Sequence, residues 1–174
     1  MNHVPVISIV GKTSAGKTTF MEKLIRELKN RGKKVAVIKH DAHQFEIDHP
    51  GKDTWRHAQA GADIVAISSP EKVAIIEKRE CELSLDEVIA RISPVDIILT
   101  EGYKRQNKPK IEVHRSSAHP DILCQPEELL AIASDIIWDI GVPCYHIDDN
   151  VNGVVAEIEK YIERFYCKDK KELI

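Results

Sequence analysis

The chain has 174 residues, enough for one domain with a complete hydrophobic core. Its 25 basic and 28 acidic side chains leave a formal net charge of -3, with no stripe of Lys and Arg interleaved with aromatics, so nucleic acid is not an expected partner. The cysteines Cys81, Cys124, Cys144 and Cys167 stand far apart with no C-x-x-C pair, and no apolar run approaches the roughly 20 residues of a membrane span, which points to free thiols in the cytoplasm.

Val4 to Val10 is apolar and β-branched, as a strand buried on both faces should be, and it runs straight into a glycine-bearing loop. From Thr18 to Arg31 the apolar residues Phe20, Leu24, Ile25 and Leu28 share one helical face, and Gly32 stands where a left-handed cap is needed. Val35 to Lys39 predicts a second strand, parallel to the first because the helix is a right-handed crossover. The stretch from His40 to Asp53 has no periodicity and is expected to be a loop at the carboxyl edge of the sheet.

Ile64 to Ser68 and Val73 to Glu77, joined by Ser69-Pro70-Glu71-Lys72, predict an antiparallel hairpin, and with it a mixed sheet. Ser84 and Glu87 form a capping box for a helix that buries Leu85, Val88, Ile89 and Ile92 and ends at Pro94. Strands follow at Ile97 to Thr100, Ile111 to His114, Leu130 to Ala133 and Cys144 to Ile147. A final amphipathic helix carries Val155, Ile158, Tyr161, Ile162 and Phe165, and the charged tail from Lys168 is expected to fray. The fold class that this order predicts is α/β, a three-layer P-loop NTPase fold with a mostly parallel sheet and one antiparallel hairpin, as a single domain over residues 1–174.

Gly11-Lys12-Thr13-Ser14-Ala15-Gly16-Lys17-Thr18 matches G-x-x-x-x-G-K-[ST]. A phosphate chain needs many backbone N–H groups converging on it, only a glycine-bearing loop wraps that closely, and the helix that follows adds its own free amides. Lys17 would reach the β- and γ-phosphates, the Thr18 hydroxyl would take a place on Mg2+, and Thr19 would lie towards the α-phosphate. Lys12 is a second cation inside the loop, in the position of the extra lysine of deviant P-loops in dimeric switch proteins; the plainer reading is a solvated lysine.

Open α/β sheets bind ligands beyond the carboxyl ends of their strands. Thr100-Glu101-Gly102 puts a carboxylate at a strand tip, like a Walker B element with glutamate, where Glu101 could orient Mg2+ through its water shell or position a water. Lys39-His40-Asp41-Ala42-His43 offers Asp41 to the magnesium, a phosphate or substrate contact, or a transition-metal site, in that order of preference. His49 to Asp53 and Lys110 to Arg115 are polar groups that ordinary solvation also explains. Asn107-Lys108-Pro109-Lys110 has the outline of the guanine-reading N-K-x-D pattern, but Lys110 replaces its aspartate, so these residues do not choose GTP over ATP.

Five segments in this order resemble the MobB family of molybdopterin-guanine dinucleotide biosynthesis adapter proteins: Gly11 to Thr19, Lys39 to His43, Asp48 to Asp53 with Ala60-Gly61-Ala62, Thr100 to Lys104, and Pro109 to Arg115. The resemblance covers nearly the whole chain. It implies a GTP- and Mg2+-binding homodimer with weak GTPase activity that assists a GMP-transferring enzyme of molybdenum cofactor biosynthesis, with molybdopterin as a further candidate ligand. It also raises Glu101, Asp41, His43, Asp53 and Lys110 as site residues. No arginine finger in cis is evident, so turnover should be slow, as in an adapter more than a fast enzyme. The rival readings are a small-molecule kinase, whose lid should carry more arginines than Arg56 alone between Gln44 and Arg56, a metallochaperone GTPase using His40 and His43, and a module in which nucleotide is structural.

Overall fold

In a computed structural model the chain is described over residues 4–41, 45–149 and 151–172, with side chains as far as Cys167. Its elements, in order, are β1 (Val6–Val10), α1 (Lys17–Asn30), β2 (Val35–Lys39), α2 (Asp53–Gln59), β3 (Ile64–Ser68), β4 (Val73–Glu77), α3 (Leu85–Ile89), β5 (Ile97–Glu101), β6 (Lys110–His114), β7 (Leu129–Ser134), β8 (Cys144–His146) and α4 (Asn152–Glu172). Two compact units emerge, one of residues 1–40 and 89–174, the other of residues 41–88.

The larger unit holds a six-stranded sheet in the order β2-β5-β1-β6-β7-β8, every neighbouring pair parallel. β1 is buried at every residue, as its continuous apolar run predicts. It begins two residues later than expected, because Pro5 has no N–H to give a ladder, although its carbonyl still accepts from Ile98 N at 2.9 Å. Side chains alternate across the sheet. One face presents Ile7, Ile9, Ile97, Leu99, Ile111 and Val113 to Phe20, Leu24 and Leu28 of α1 and to Val154, Val155, Ile158 and Ile162 of α4, and this is the main core. Burying each such side chain is worth about 1.5–3 kcal/mol, so this layer fixes where β1 ends and α1 begins.

The opposite face of the same strands carries polar groups that are also buried. Thr100 Oγ1 donates to Ser8 Oγ at 3.0 Å between β5 and β1. On β6 the alternation is complete: Ile111 and Val113 enter the core, while Lys110, Glu112 and His114 point the other way and hold the connection to β7. The Lys110 ammonium pairs with Glu128, Glu112 accepts from Leu123 N at 2.7 Å and Cys124 N at 3.0 Å, and His114 Nε2 meets His119 O at 2.9 Å. Buried polar groups must be paired, and here the pairing turns a long connection into an ordered wall.

The smaller unit contains α2 and the β3–β4 hairpin, which pairs antiparallel from Ile64↔Glu77 to Ser68↔Val73 as its turn chemistry predicts. The expectation of a mixed sheet is corrected: the hairpin is a separate two-stranded sheet, and the six-stranded sheet is parallel throughout. Helix α2 lies just past the expected loop and was not foreseen, since none of its residues is buried and no apolar stripe marks it. The Ser84–Glu87 box is present, with Ser84 N donating to Glu87 Oε2 at 2.8 Å, but the helix it starts runs only over Leu85–Ile89, short of Pro94, and buries Leu85 and Ile89 but not Val88 or Ile92. Helix α4 continues through the charged tail to Glu172.

Candidate functional site

The loop between β1 and α1 is set by close approach of the chain to itself. Gly11 has φ +151°, and a Cβ there would stand 2.2 Å from the Val113 carbonyl oxygen of β6, so only glycine lets the loop leave β1. Ser14 adopts φ 66° and Gly16 φ 89°, which fold the loop back towards the helix, while Ala15 is buried. Gly16 caps α1 with no side-chain hydrogen bond, and the first turn contains no acidic residue. The amides at the start of α1 and the positive end of its dipole are therefore left to an anion.

Lys17 folds over this loop. Its ammonium donates to Gly11 O at 3.0 Å and Lys12 O at 2.8 Å, so the charge is held on the loop's own carbonyls. Burial pushes its pKa below the usual lysine range; the Glu101 carboxylate opposes this and Lys104 adds to it. Thr18 Oγ1 donates to Glu101 Oε1 at 3.3 Å, a meeting of two residues 83 positions apart. The sheet arranges it: Glu101 is level with Ile9 of β1 on one side and Lys39 of β2 on the other.

Gly102 at φ 95° and Tyr103 at φ 51° turn the chain away from the strand tip. The Tyr103 ring lies against His40, centroids 4.7 Å apart, and His40 N donates to Glu101 O at 2.9 Å, so the carboxylate stands on a braced turn. Beside it is a cavity of about 260 Å3 lined by Gly11, Gly102, Lys104, Arg105, Cys124 and Glu128. Burial and the neighbouring Glu112 push the Cys124 thiol up to about 12, which keeps it protonated.

The larger unit thus brings together Gly11, Lys12, Thr13, Ser14, Ala15, Gly16, Lys17, Thr18 and Thr19 on one loop with Glu101 across from Thr18. Asp41 and Asp53 belong to the smaller unit, where Asp53 opens α2 and adds a favourable charge to its first turn. His43 lies outside the described residues. Lys110, singled out as a nucleotide contact, is 2% exposed and its charge is taken up by Glu128; the alternation of β6 explains this, and the motif alone does not reveal it. Among the described residues no three His, Cys, Asp or Glu side chains converge as a metal cluster.

The sequence names Arg115 only as the last of the polar run from Lys110 and gives it no role of its own. Arg115, first after β6, places Nε 3.7 Å from where a Cβ on Gly16 would lie, and its guanidinium donates to Asp148 at 2.6 and 3.3 Å. A signal was available in its position at the tip of a strand, but which strand neighbours β1 is not written in the sequence.

A parallel sheet whose central strand feeds a glycine loop and a helix, with a carboxylate at the adjacent strand tip, defines the P-loop NTPase-like class of fold. Within that class the family model for "Molybdopterin guanine dinucleotide synthesis protein B" matches residues 6–135, and the chain belongs to that family. It is similar to the molybdopterin-guanine dinucleotide biosynthesis adapter protein of Haemophilus influenzae, at 33% identity over 95% of this chain and 93% of that one. The adapter protein of Escherichia coli K12 is 31% identical over 92% of this chain and 95% of its own. The fold is similar to a crystal structure of molybdopterin-guanine biosynthesis protein B, with a TM-score of 0.67 and 30% identity over 90% of this chain and 99% of that one.

Proposed function

We propose that this chain is an adapter in molybdopterin-guanine dinucleotide biosynthesis that binds GTP with Mg2+ on the loop from Gly11 to Thr18 and engages a GMP-transferring enzyme according to the nucleotide it holds. The observation that carries this is the pre-set loop, with Lys17 parked on Gly11 O and Lys12 O and Thr18 facing Glu101. The relatives' names support the pathway.

Lys17 exchanges its two carbonyls for phosphate oxygens, and the amides of residues 13–19 donate to the phosphate chain. Thr18 and Glu101, which meet across the start of α1, would hold the cation. Bound Mg2+ would supply neutralisation of the phosphate charge. Glu101 also serves to orient a water. None of these groups is an arginine aimed at the γ-phosphate, which supports slow hydrolysis. His43 and Asp53 remain candidate nucleotide contacts, whereas Lys110 acts on the chain's own loop through Glu128. Lys104 and Arg105, which help wall the cavity beside Glu101, support molybdopterin as a further candidate ligand, since they would meet its phosphate with positive charge.

The protein acts in the cytoplasm as a homodimer. No helix among the described residues is long and apolar enough to cross a membrane. The hairpin supports the dimer: Ile64, Val73 and Ile75, which share one of its faces, are 58%, 65% and 67% exposed, a run of apolar surface that a second copy would cover. The test of the adapter reading is the affinity for the GMP-transferring partner measured with GTP and then GDP bound. A difference is expected, because only unequal binding to two states makes a switch, and equal affinities would reduce the nucleotide to a structural part.

A further inference from the structure

The six-stranded sheet sets β6 beside β1, in register from Ser8↔Lys110 to Val10↔Glu112, so the chain leaving β6 runs along the nucleotide loop. Arg115 is the first residue out. Its backbone carbonyl is fixed by Ala118 N at 2.9 Å and His119 N at 3.1 Å. Its terminal nitrogens both donate to Asp148, Nη2 to Oδ1 at 2.6 Å and Nη1 to Oδ2 at 3.3 Å. That two-pronged grip uses the end of the guanidinium and leaves Nε–H over, and Nε is the atom that stands against Gly16.

Other cations stand near the loop, but they are not aimed. Lys12 and Lys104 lie on exposed turns, and among the described residues no carboxylate fixes either of them. A triphosphate with one divalent cation and one lysine is still net negative, and a planar donor already held in place loses little entropy on meeting it.

We propose that Arg115 contacts the bound nucleotide through Nε–H at the α- and β-phosphates, and that Asp148 is the positioning residue that aims it. The inference rests on the nucleotide reading of the loop. The phosphate is chosen by geometry: Gly16 and the amides next to it cradle the α/β pair, while Lys17 reaches further towards γ. Arg115 therefore supports di- and triphosphate alike and is not a hydrolysis finger.

The test is calorimetric titration of the full chain with GTP and with GDP in magnesium, using Arg115→Ala, Arg115→Lys, Asp148→Asn and the Arg115→Ala/Asp148→Asn double variant, each checked by thermal melting. Arg115→Ala should raise both dissociation constants by the same factor, about tenfold, as expected for one charge-assisted hydrogen bond. Arg115→Lys should recover part of the loss. Asp148→Asn should weaken both nucleotides about threefold in the wild-type background and add nothing once Arg115 is gone, which is the signature of acting through it. If Arg115→Ala does not fold, the lysine and asparagine variants decide the matter. Binding that is lost in Lys17→Ala but unchanged in every Arg115 and Asp148 variant overturns this proposal and leaves the loop standing. A loss confined to GTP overturns the α/β placement, and a wild-type chain that takes no nucleotide overturns both readings.

Discussion

Gly11 has room for a hydrogen where any other residue would press a carbon into the backbone of β6. Since the obstacle is the Val113 carbonyl and not a flexible side-chain end, the neighbour cannot step aside without breaking the sheet. Gly11→Ala should therefore lower stability by about 1–3 kcal/mol and weaken nucleotide binding together, read from urea midpoints and a GTP titration. A variant as stable as the parent that binds equally well would contradict the geometry. At this scale the sequence was legible wherever chemistry and spacing coincide, as in Gly11, Lys17 and Thr18, whose roles follow from a motif that is local in the chain. The contacts of Arg115 and Lys110, both named in one polar run, were illegible, because their neighbours Gly16, Asp148 and Glu128 are fixed by strand order and by the pleat of β6.

Strand β6 gives the clearest lesson among the elements. Its sequence K-I-E-V-H alternates charge with apolar bulk, and the structure puts one set in the core and the other on the connection to β7. Replacing Glu112 by alanine would leave the partly buried amides of Leu123 and Cys124 without their acceptor, at a cost of about 1–2 kcal/mol. Hydrogen exchange at those two amides should speed up well before the rest of the sheet, whereas protection unchanged there would mean the loop is held by something else. The hairpin's strands were legible to the residue because their turn and their cross-strand pairs are local, but its place in a separate sheet was not, since nothing in a strand's own pattern names its partner. Helix α2 has no buried face and so no apolar period to read. If the exposed face of the hairpin is covered by a second copy, Ile75→Lys should halve the mass seen by light scattering while leaving the circular dichroism intact, and an unchanged mass would remove the hairpin from the interface.

For the molecule as a whole, the shifted carboxyls on one side and the shifted thiol and phenols on the other act with opposite signs, and Lys17, lowered by burial, opposes the second set at alkaline pH. Hydrogen bonds from Lys110, Ser116, Arg115 and Lys160 hold the carboxyls of Glu128, Asp135, Asp148 and Glu157 below their usual range. The folded state thus binds fewer protons than the unfolded chain near pH 4, and this support, present above that range, fades as pH falls through it. Burial raises Cys124, Tyr145 and Tyr161, so their contribution is complete below about pH 9 and is lost as pH climbs towards their folded values. Urea midpoints against pH should show a plateau between these limits, and a stability that kept rising beyond pH 9 would contradict the placement of these groups. The same folded framework has one purpose in this account, which is to hold the loop from Gly11 to Thr18 open to a nucleotide. The most direct test is calorimetric titration of the wild-type chain and Lys17→Ala with GTP and ATP in magnesium. Binding should favour GTP and fall by about a hundredfold or more when the Lys17 ammonium is removed; tight binding that is indifferent to Lys17, or none at all, would contradict the nucleotide role of the loop.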